Sequence, residues 1–503
     1  MVARFVRGNA PALLAATSSL LLSLAATASR HLVNSDGVWY LLAAEAFVAG
    51  GLPAARAAHP WPIYGVLIGL IARATGLPAQ AAADGLNAVF VATASAFFVE
   101  AVRQLGADRR VQWYAAALVL AHRGLNVFRD AIVRDFGGWA FGLVGLVALL
   151  RFMRSASPGS AAAWLAAGLI AVAFRPEWAL VWTAMALAPL FDTSASPGRR
   201  LRRFAMLALP AAAVSVALAG LLLSSPAGAA SVWAMAADVT DLGVDAFRGS
   251  AQALAASFPF THGREYAPYL LLFGLAPLPI VKVVLAAGVP VAVLALAGVS
   301  SLRERPRPAQ AALALSLGAW YVVSYLFALE RMFLETRYAV PASLVLALAA
   351  PFGVSRLVAA SRAPRRRYLL VLCTAWVIAT AALALAERRN PDPHVGAAIE
   401  WLRQGTPPNA RVHTNSPQVA YYCRRAVDWA AVRHAILHGP DPPLGGPYDY
   451  WTVLVPANDV SARGRLAEVQ GLAHVASFPG TGGSGVEVYQ PGGGMINRST
   501  PRP

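Results

Sequence analysis

The chain has 503 residues, 57% of them hydrophobic and only 13% charged, with a mean hydropathy of +0.53. A soluble protein carries about 25% charged residues, so the composition excludes a soluble globular class and points to an integral membrane protein. The net charge of +17 would suit nucleic acid if it formed one basic face, but the arginines are dispersed in short clusters, which excludes that partner.

The clusters are Arg4 and Arg7; Arg103, Arg109 and Arg110; Arg151 and Arg154; Arg199, Arg200, Arg202 and Arg203; Arg303, Arg305 and Arg307; and Arg356, Arg362, Arg365, Arg366 and Arg367. They sit in short connections between apolar runs, the positive-inside pattern of a membrane protein. Placing every cluster in the cytoplasm predicts about eleven spans. They lie near 11–28, 81–103, 112–127, 136–152, 161–175, 177–192, 203–223, 282–300, 309–329, 338–355 and 368–386. The N-terminus is then inside and the C-terminus outside. Residues 1–29 also have the shape of a cleavable signal peptide, but their apolar part is long for one, so they read as a retained span.

After the first span comes NSDGVWYLLAAEAFVAGGLPAARAAHPWP, from Asn34 to Pro62. Ser-Asp-Gly predicts a turn that exposes Asp36 on the outer side. Trp39, Leu42, Ala43, Ala46, Phe47 and Gly50 then recur at helical spacing, predicting an amphipathic helix. Pro60 and Pro62 end it, and the apolar run 63–76 is short enough to read as interfacial or re-entrant. If it crossed, Arg103, Arg109 and Arg110 would fall outside. Residues 267–281, with Pro277 and Pro279, read as a second such segment.

With this topology the charged residues that the cytoplasmic rule does not explain fall on the outer side. They are Asp36, Glu45, Arg56 and His59; Arg123, Arg129, Asp130, Arg134 and Asp135; Arg175 and Glu177; Asp238, Asp241, Asp245, Arg248, His262, Arg264 and Glu265; and Glu330, Arg331, Glu335 and Arg337. Charges near membrane depth mark a site or a partner pair. The bland reading is pairing, of Arg134 with Asp135 or Arg175 with Glu177. Five loops carrying both signs on one side favour a site. Guanidinium forks suit phosphate, an exposed Asp suits a general base, and interfacial helices suit a lipid tail. No P-loop or glycine-rich nucleotide cradle is present. The residues therefore point to transfer from a lipid-phosphate donor. Lys282, the chain's single lysine, reads either as an interfacial residue snorkelling to water or as a point charge on the donor phosphate.

Cys373 lies in a span and Cys423 in the tail, so they are not expected to pair, and no zinc-type spacing occurs. No internal repeat is evident. The rival reading is a transporter or flippase of lipid-linked sugars, and a third is a non-catalytic binder; transporters usually show an internal repeat, which counts against the first. From about 388 the composition changes. HVGAAIEWLRQ reads as a helix, and ARVHTNS, YDYWTVLVP and VEVYQ as strands. The predicted fold class is mainly α, a polytopic membrane protein with interfacial helices plus a small C-terminal α/β domain. Its parts are a transmembrane catalytic domain 1–387, an extracytoplasmic domain 388–490 and a disordered tail 491–503. His394, His413 and Asp428 read as structural or surface residues.

Several stretches carry a family resemblance: Asp36 with WYLLAAEAFVAGG, HPWPIYGVLIGLIARATGLP, RDAIVRDFGGWAFGL, FRPEW, ETRYAVP and EWLRQGTPPNARVHTNSPQVAYY. Together they resemble the GT-C integral-membrane glycosyltransferases that use polyprenyl-phosphate sugars. That family includes protein O-mannosyltransferases, the aminoarabinose transferases of lipid A and rhizobial lipopolysaccharide sugar transferases. The resemblance implies an inverting transfer, with Asp36 as catalytic base and Asp135, or else Asp130, as the second acidic position. Arg337 matches an arginine near the donor phosphate, and Arg134, Arg175 and Lys282 join it as phosphate candidates. His59, Glu45, Asp130 and Glu177 are the substrate-binding candidates. The implied partners are a polyprenyl-phosphate sugar, membrane lipid and a cell-envelope acceptor, at a bacterial inner membrane with the C-terminal domain periplasmic. Many relatives carry paired acids in the first loop; here there is one, which leaves a divalent metal ion open. Trp61 stands where the family has a second consecutive proline.

Overall fold

Among the described residues of the first 386, apolar runs bounded by arginines and prolines fold as helices, as the side-chain pattern demands. The computed structural model describes residues 2–28, 30, 32–224, 244–360, 364–386, 393–438, 448–455 and 472–491. Asp238, Asp241 and residues 492–503 of the expected tail 491–503 lie outside the described residues, and Pro491, expected in that tail, instead ends a strand. Among the described residues, six helices are long and apolar enough to cross a membrane: Asn9–Ala28, Ser35–Ala58, Ala79–Gln104, Asp135–Ser155, Thr261–Ala287 and Arg307–Arg331. The pair Thr336–Ala347 and Ala350–Ala359, bent by 41°, raises the count to seven.

Eleven spans are therefore not confirmed by length and composition. Pro158–Phe174 and Val289–Arg303 are apolar but short, with 17 and 15 residues. Pro197–Leu223 and Pro364–Ala386 are long, with 27 and 23 residues, but open on runs of arginine. The expected span 282–300 is divided at Gly288 (φ 84°) into Leu278–Ala287 and Val289–Arg303. Residues 267–281 instead join the 27-residue run Thr261–Ala287. Pro277 and Pro279 fall at the start of the Leu278–Ala287 helix, where a missing N–H costs little. The Ile63–Thr75 helix has 13 residues, roughly 20 Å of rise, too short for a hydrocarbon core of about 30 Å.

The chain divides into two compact units. The first comprises residues 1–26, 85–129 and 134–386; the second comprises 27–84, 130–133 and 387–503. In the first, Asp135–Ser155 is the most enclosed of the long apolar helices, with 83% of its apolar window buried. Its glycines admit large rings. A Cβ on Gly142 would lie 2.1 Å from Trp178, and one on Gly145 2.1 Å from Trp182. This close approach locks the Trp178–Ala186 helix against its neighbour. Arg129, expected on the outer face, is instead 1% exposed. Its Nη1 donates to Ser19 O (2.9 Å), Ser19 Oγ (2.9 Å) and Ser23 Oγ (3.0 Å), and its Nε to Asn126 Oδ1 (2.8 Å). A charge this deep persists only with such acceptors, so Arg129 ties the first helix in place.

The second unit contains a four-stranded sheet of order β1-β2-β4-β3. The strands are β1 Val412–Thr414, β2 Tyr450–Val455, β3 Leu472–Pro479 and β4 Gly485–Pro491. β1 and β2 are parallel, and the other pairings are antiparallel. The expected helix is present as Pro393–Gly405, and its Val395, Ile399 and Leu402 pack with Val412, Val486 and Val488. His394 and His413 are buried rather than surface residues, and burial pushes the His413 pKa down. Asp428 Oδ1 accepts from Ala430 N (2.9 Å) and so caps the helix Trp429–His438. These three residues are structural.

Candidate active site

In the first unit, four elements enclose a cavity of about 340 Å³. The start of the Asp135–Ser155 helix brings Asp135 and Trp139. The 175–178 turn brings Arg175, Glu177 and Trp178. The Arg307–Arg331 helix brings Trp320, Ser324, Phe327 and Glu330 at helical spacing, and the first turn of Thr336–Ala347 brings Arg337 and Tyr338. Arg175 closes the Pro158–Phe174 helix in extended conformation (φ −146°).

Within this cavity Arg175 stands between two acids. Its Nε lies 3.5 Å from Asp135 Oδ1 and its Nη2 3.6 Å from Glu177 Oε1. Both distances exceed the ~2.7–2.9 Å of a tight charge-assisted hydrogen bond, so neither acid closes a fork with the guanidinium. The Asp135 side chain is 4% exposed, and Arg175 is the cation beside it. Arg337 Nε lies 2.5 Å from Glu335 Oε2, and its Nη2 donates to the Tyr338 hydroxyl at 3.1 Å. Both guanidiniums also face the Tyr338 ring, with Cζ 4.7 Å (Arg175) and 5.0 Å (Arg337) from its centroid. One ring thereby holds two cations by its quadrupole. Trp178 and Trp320, edge to face at 5.0 Å, supply an apolar wall. Such a cavity, apolar with two guanidiniums on one aromatic ring, can take an anionic group that carries a greasy substituent.

Asp36 belongs to the second unit. It lies in the first turn of the Ser35–Ala58 helix and is half-buried. The expected turn is thus a helix start, for which Asn, Ser and Asp are equally suited. Each neighbour in Asn-Ser-Asp-Gly has a task. The Asn34 side chain accepts from Ile132 N (2.8 Å) and donates to Ile132 O (3.3 Å). Ser35 Oγ donates to Gln418 Oε1 (3.1 Å). A Cβ on Gly37 would lie 2.4 Å from Val33 Cγ1 and 2.9 Å from Ile132 Cβ. Upstream, Arg30 makes a two-pronged bond to Asp84 (2.9 and 2.8 Å) and donates to the Asp130 carbonyl.

The C-terminal sheet domain grips this segment. Tyr422 Oη accepts from Val33 N (3.3 Å) and donates to Gln80 Oε1 (3.0 Å). Tyr421 Oη donates to Glu45 Oε1 at 2.6 Å. Burial, then this bond to Glu45, pushes the Tyr421 pKa well above the ordinary phenol value. Trp429 meets Trp39 edge to face at 5.5 Å, and Arg433 lies over the same Trp39 ring. Gly37→Ala is expected to overpack this junction and cost roughly 1–3 kcal/mol. Thermal unfolding of the purified protein checks it, and an unchanged midpoint would refute the packing argument.

Of the four phosphate candidates, the cavity gathers Arg175 and Arg337. Arg134 is the N-cap of the Asp135–Ser155 helix and Lys282 is half-buried on Leu278–Ala287; neither lines the cavity. His59 Nδ1 accepts from Trp61 N (3.0 Å) and its ring packs on Tyr40, a structural use. Tyr338, Trp139, Trp178 and Trp320 were not singled out from sequence. Tyr338 follows Arg337 directly, the one local signal that was available. Among the described residues no three His, Cys, Asp or Glu side chains are grouped to hold a metal ion. Asp135 and Glu177 have a guanidinium between them, so these residues do not fit a protein-built divalent-metal site.

The helical bundle, the arginine-lined cavity and the small terminal sheet define a multi-pass membrane protein with the GT-C fold. The chain is similar in structure to ArnT from Cupriavidus metallidurans bound to undecaprenyl phosphate, with a TM-score of 0.56 and 14% identity over 94% of this chain and 97% of that one. The apo state of the same protein matches equally. It is also similar to arabinofuranosyltransferase AftD from Mycobacteria, with a TM-score of 0.51 and 16% identity over 97% of this chain and 42% of that one. No protein-family model and no curated protein matches the sequence.

Proposed function

We propose that the protein is an inverting glycosyltransferase that moves a sugar from a polyprenyl-phosphate donor to a cell-envelope acceptor. The reaction runs on the outer face of a bacterial inner membrane, where nucleotide donors are scarce. Residues 1–387 form the transmembrane catalytic part and 388–490 a periplasmic domain. The observation that carries this reading is the cavity holding Arg175 and Arg337 on one tyrosine ring. Its support is the fold shared with a protein crystallised with undecaprenyl phosphate. Asp36 takes the proton from the acceptor hydroxyl, whose oxygen attacks the anomeric carbon. The bond from that carbon to the phosphate oxygen breaks, and polyprenyl phosphate leaves with its added charge held by Arg175 and Arg337. Asp135 is assigned to orienting Arg175, on the strength of their 3.5 Å contact.

Incubating the purified protein with a polyprenyl-phosphate sugar and candidate acceptors tests the reading. Release of free polyprenyl phosphate with glycosylated acceptor is the expected result. Movement of intact donor across vesicles without release would put a transporter in its place. Mass spectrometry of envelope glycans from a deletion strain identifies the sugar and acceptor. The phosphate assignment has its own test. Lys282→Met is expected to leave donor KM unchanged, whereas Arg337→Met raises it roughly ten- to a hundred-fold, the worth of one charge-assisted contact. A raised KM in Lys282→Met would return Lys282 to the donor site.

A further inference from the structure

The first unit contains a second basic cavity that the proposed reaction does not use. It encloses about 400 Å³ and is lined by Arg154, Arg203 and Arg305 together with Asp192 and the apolar side chains of Leu150 and Met153. The three arginines come from separate elements. Arg154 lies in the last turn of Asp135–Ser155, Arg203 lies in Pro197–Leu223, and Arg305 precedes Arg307–Arg331. Asp192 answers only one of them, at 2.8 Å from Arg203 Nη1. Arg154 turns to uncharged groups, the Gln104 carbonyl and side chain. Arg305 Nη1 reaches the Gly106 carbonyl at 3.4 Å, and its Nε is buried with no acceptor. The Arg305 guanidinium also lies over the Phe352 ring, 5.1 Å from its centroid, so the lining sets three guanidiniums against the single carboxylate of Asp192 and leaves one buried donor without an acceptor. A buried N–H without an acceptor is costly, and its placement on a cavity wall lets a ligand satisfy it.

We infer that this cavity binds the phosphodiester headgroup of an anionic membrane phospholipid. Guanidinium forks match the two free oxygens of a phosphodiester. The leucine and methionine beside them favour a ligand that is apolar immediately next to its charge, which separates a lipid from free phosphate. The arginines belong to the clusters that the positive-inside rule places at the cytoplasmic surface, where basic pockets between helices meet anionic headgroups.

Native mass spectrometry of the full chain in detergent tests this, with phosphatidylglycerol and phosphatidylcholine added at matched concentrations. The wild type is expected to retain phosphatidylglycerol in preference to phosphatidylcholine. Arg154→Gln/Arg305→Gln should weaken the phosphatidylglycerol adduct by about tenfold or more and leave phosphatidylcholine retention alone. Size-exclusion elution reports whether the double variant folds. If it does not, Arg154→Gln, an exposed substitution, is read alone and should still weaken the adduct. Equal retention of the two lipids by the wild type, or undiminished phosphatidylglycerol binding by a folded variant, overturns the inference. Displacement of the lipid by millimolar inorganic phosphate overturns the lipid assignment in favour of a free anion.

Discussion

Asp36→Asn is expected to abolish nearly all transfer while leaving the protein folded and membrane-inserted. The substitution keeps the size of the side chain and removes its ability to take a proton. Loss of a general base costs ~10²–10⁴-fold in rate, and the effect should fall on kcat, with donor KM near the wild-type value because the phosphate arginines are untouched. Structure should survive because Asn keeps the size and an acceptor oxygen of the side chain, and the neighbours of Asp36 also hold this segment. Asn34 pins Ile132, Ser35 reaches Gln418, and Tyr422 bonds Val33 N. The measurement is release of polyprenyl phosphate under single-turnover conditions, with thermal unfolding alongside. Turnover near wild type in a folded Asp36→Asn protein would remove Asp36 from the chemistry.

That Asp36, Arg175 and Arg337 stand out as candidates in the sequence follows from cost. A charge in an apolar chain is expensive, so each one outside the arginine clusters asks for a reason. Helix existence was legible for the same reason: runs such as 81–103 and 309–329 have nowhere to go but into helices, and they appear as Ala79–Gln104 and Arg307–Arg331. What each charge meets was not legible. Arg129 and Arg175 look alike in sequence, yet one is consumed by Ser19 and Ser23 and the other stands in a cavity. The deciding partners lie far off in the chain, and no local pattern encodes them. Asp36 in a helix rather than a turn illustrates a second limit, because Asn, Ser, Asp and Gly serve both conformations. β3 was missed because Leu472–Pro479 is an edge strand whose residues are mostly exposed, so burial imposes no alternation on its sequence.

The arginine with the largest expected effect is Arg175. Arg175→Met should damage both stability and function, because it removes the nearby cation from Asp135 and Glu177 and one of two guanidiniums from Tyr338. Removing one partner of a buried pair costs roughly 3–5 kcal/mol when the other stays charged, and the Asp135 carboxyl is the more enclosed of the two side chains. Pairing the change with Asp135→Asn should recover much of that stability, since no uncompensated charge then remains. It should not recover transfer, because the phosphate still lacks its fork. Arg175→Lys separates the roles further: a point charge keeps Asp135 paired but cannot offer two parallel donors to a phosphate. The expected order in thermal unfolding is therefore wild type, then Arg175→Lys and the double variant, then Arg175→Met. In donor KM all three variants should stand at least about tenfold above wild type, the worth of a lost charge-assisted contact. A double variant that regained stability and wild-type donor KM together would show Arg175 to be a counter-ion for Asp135 alone, and the donor phosphate would then rest on Arg337.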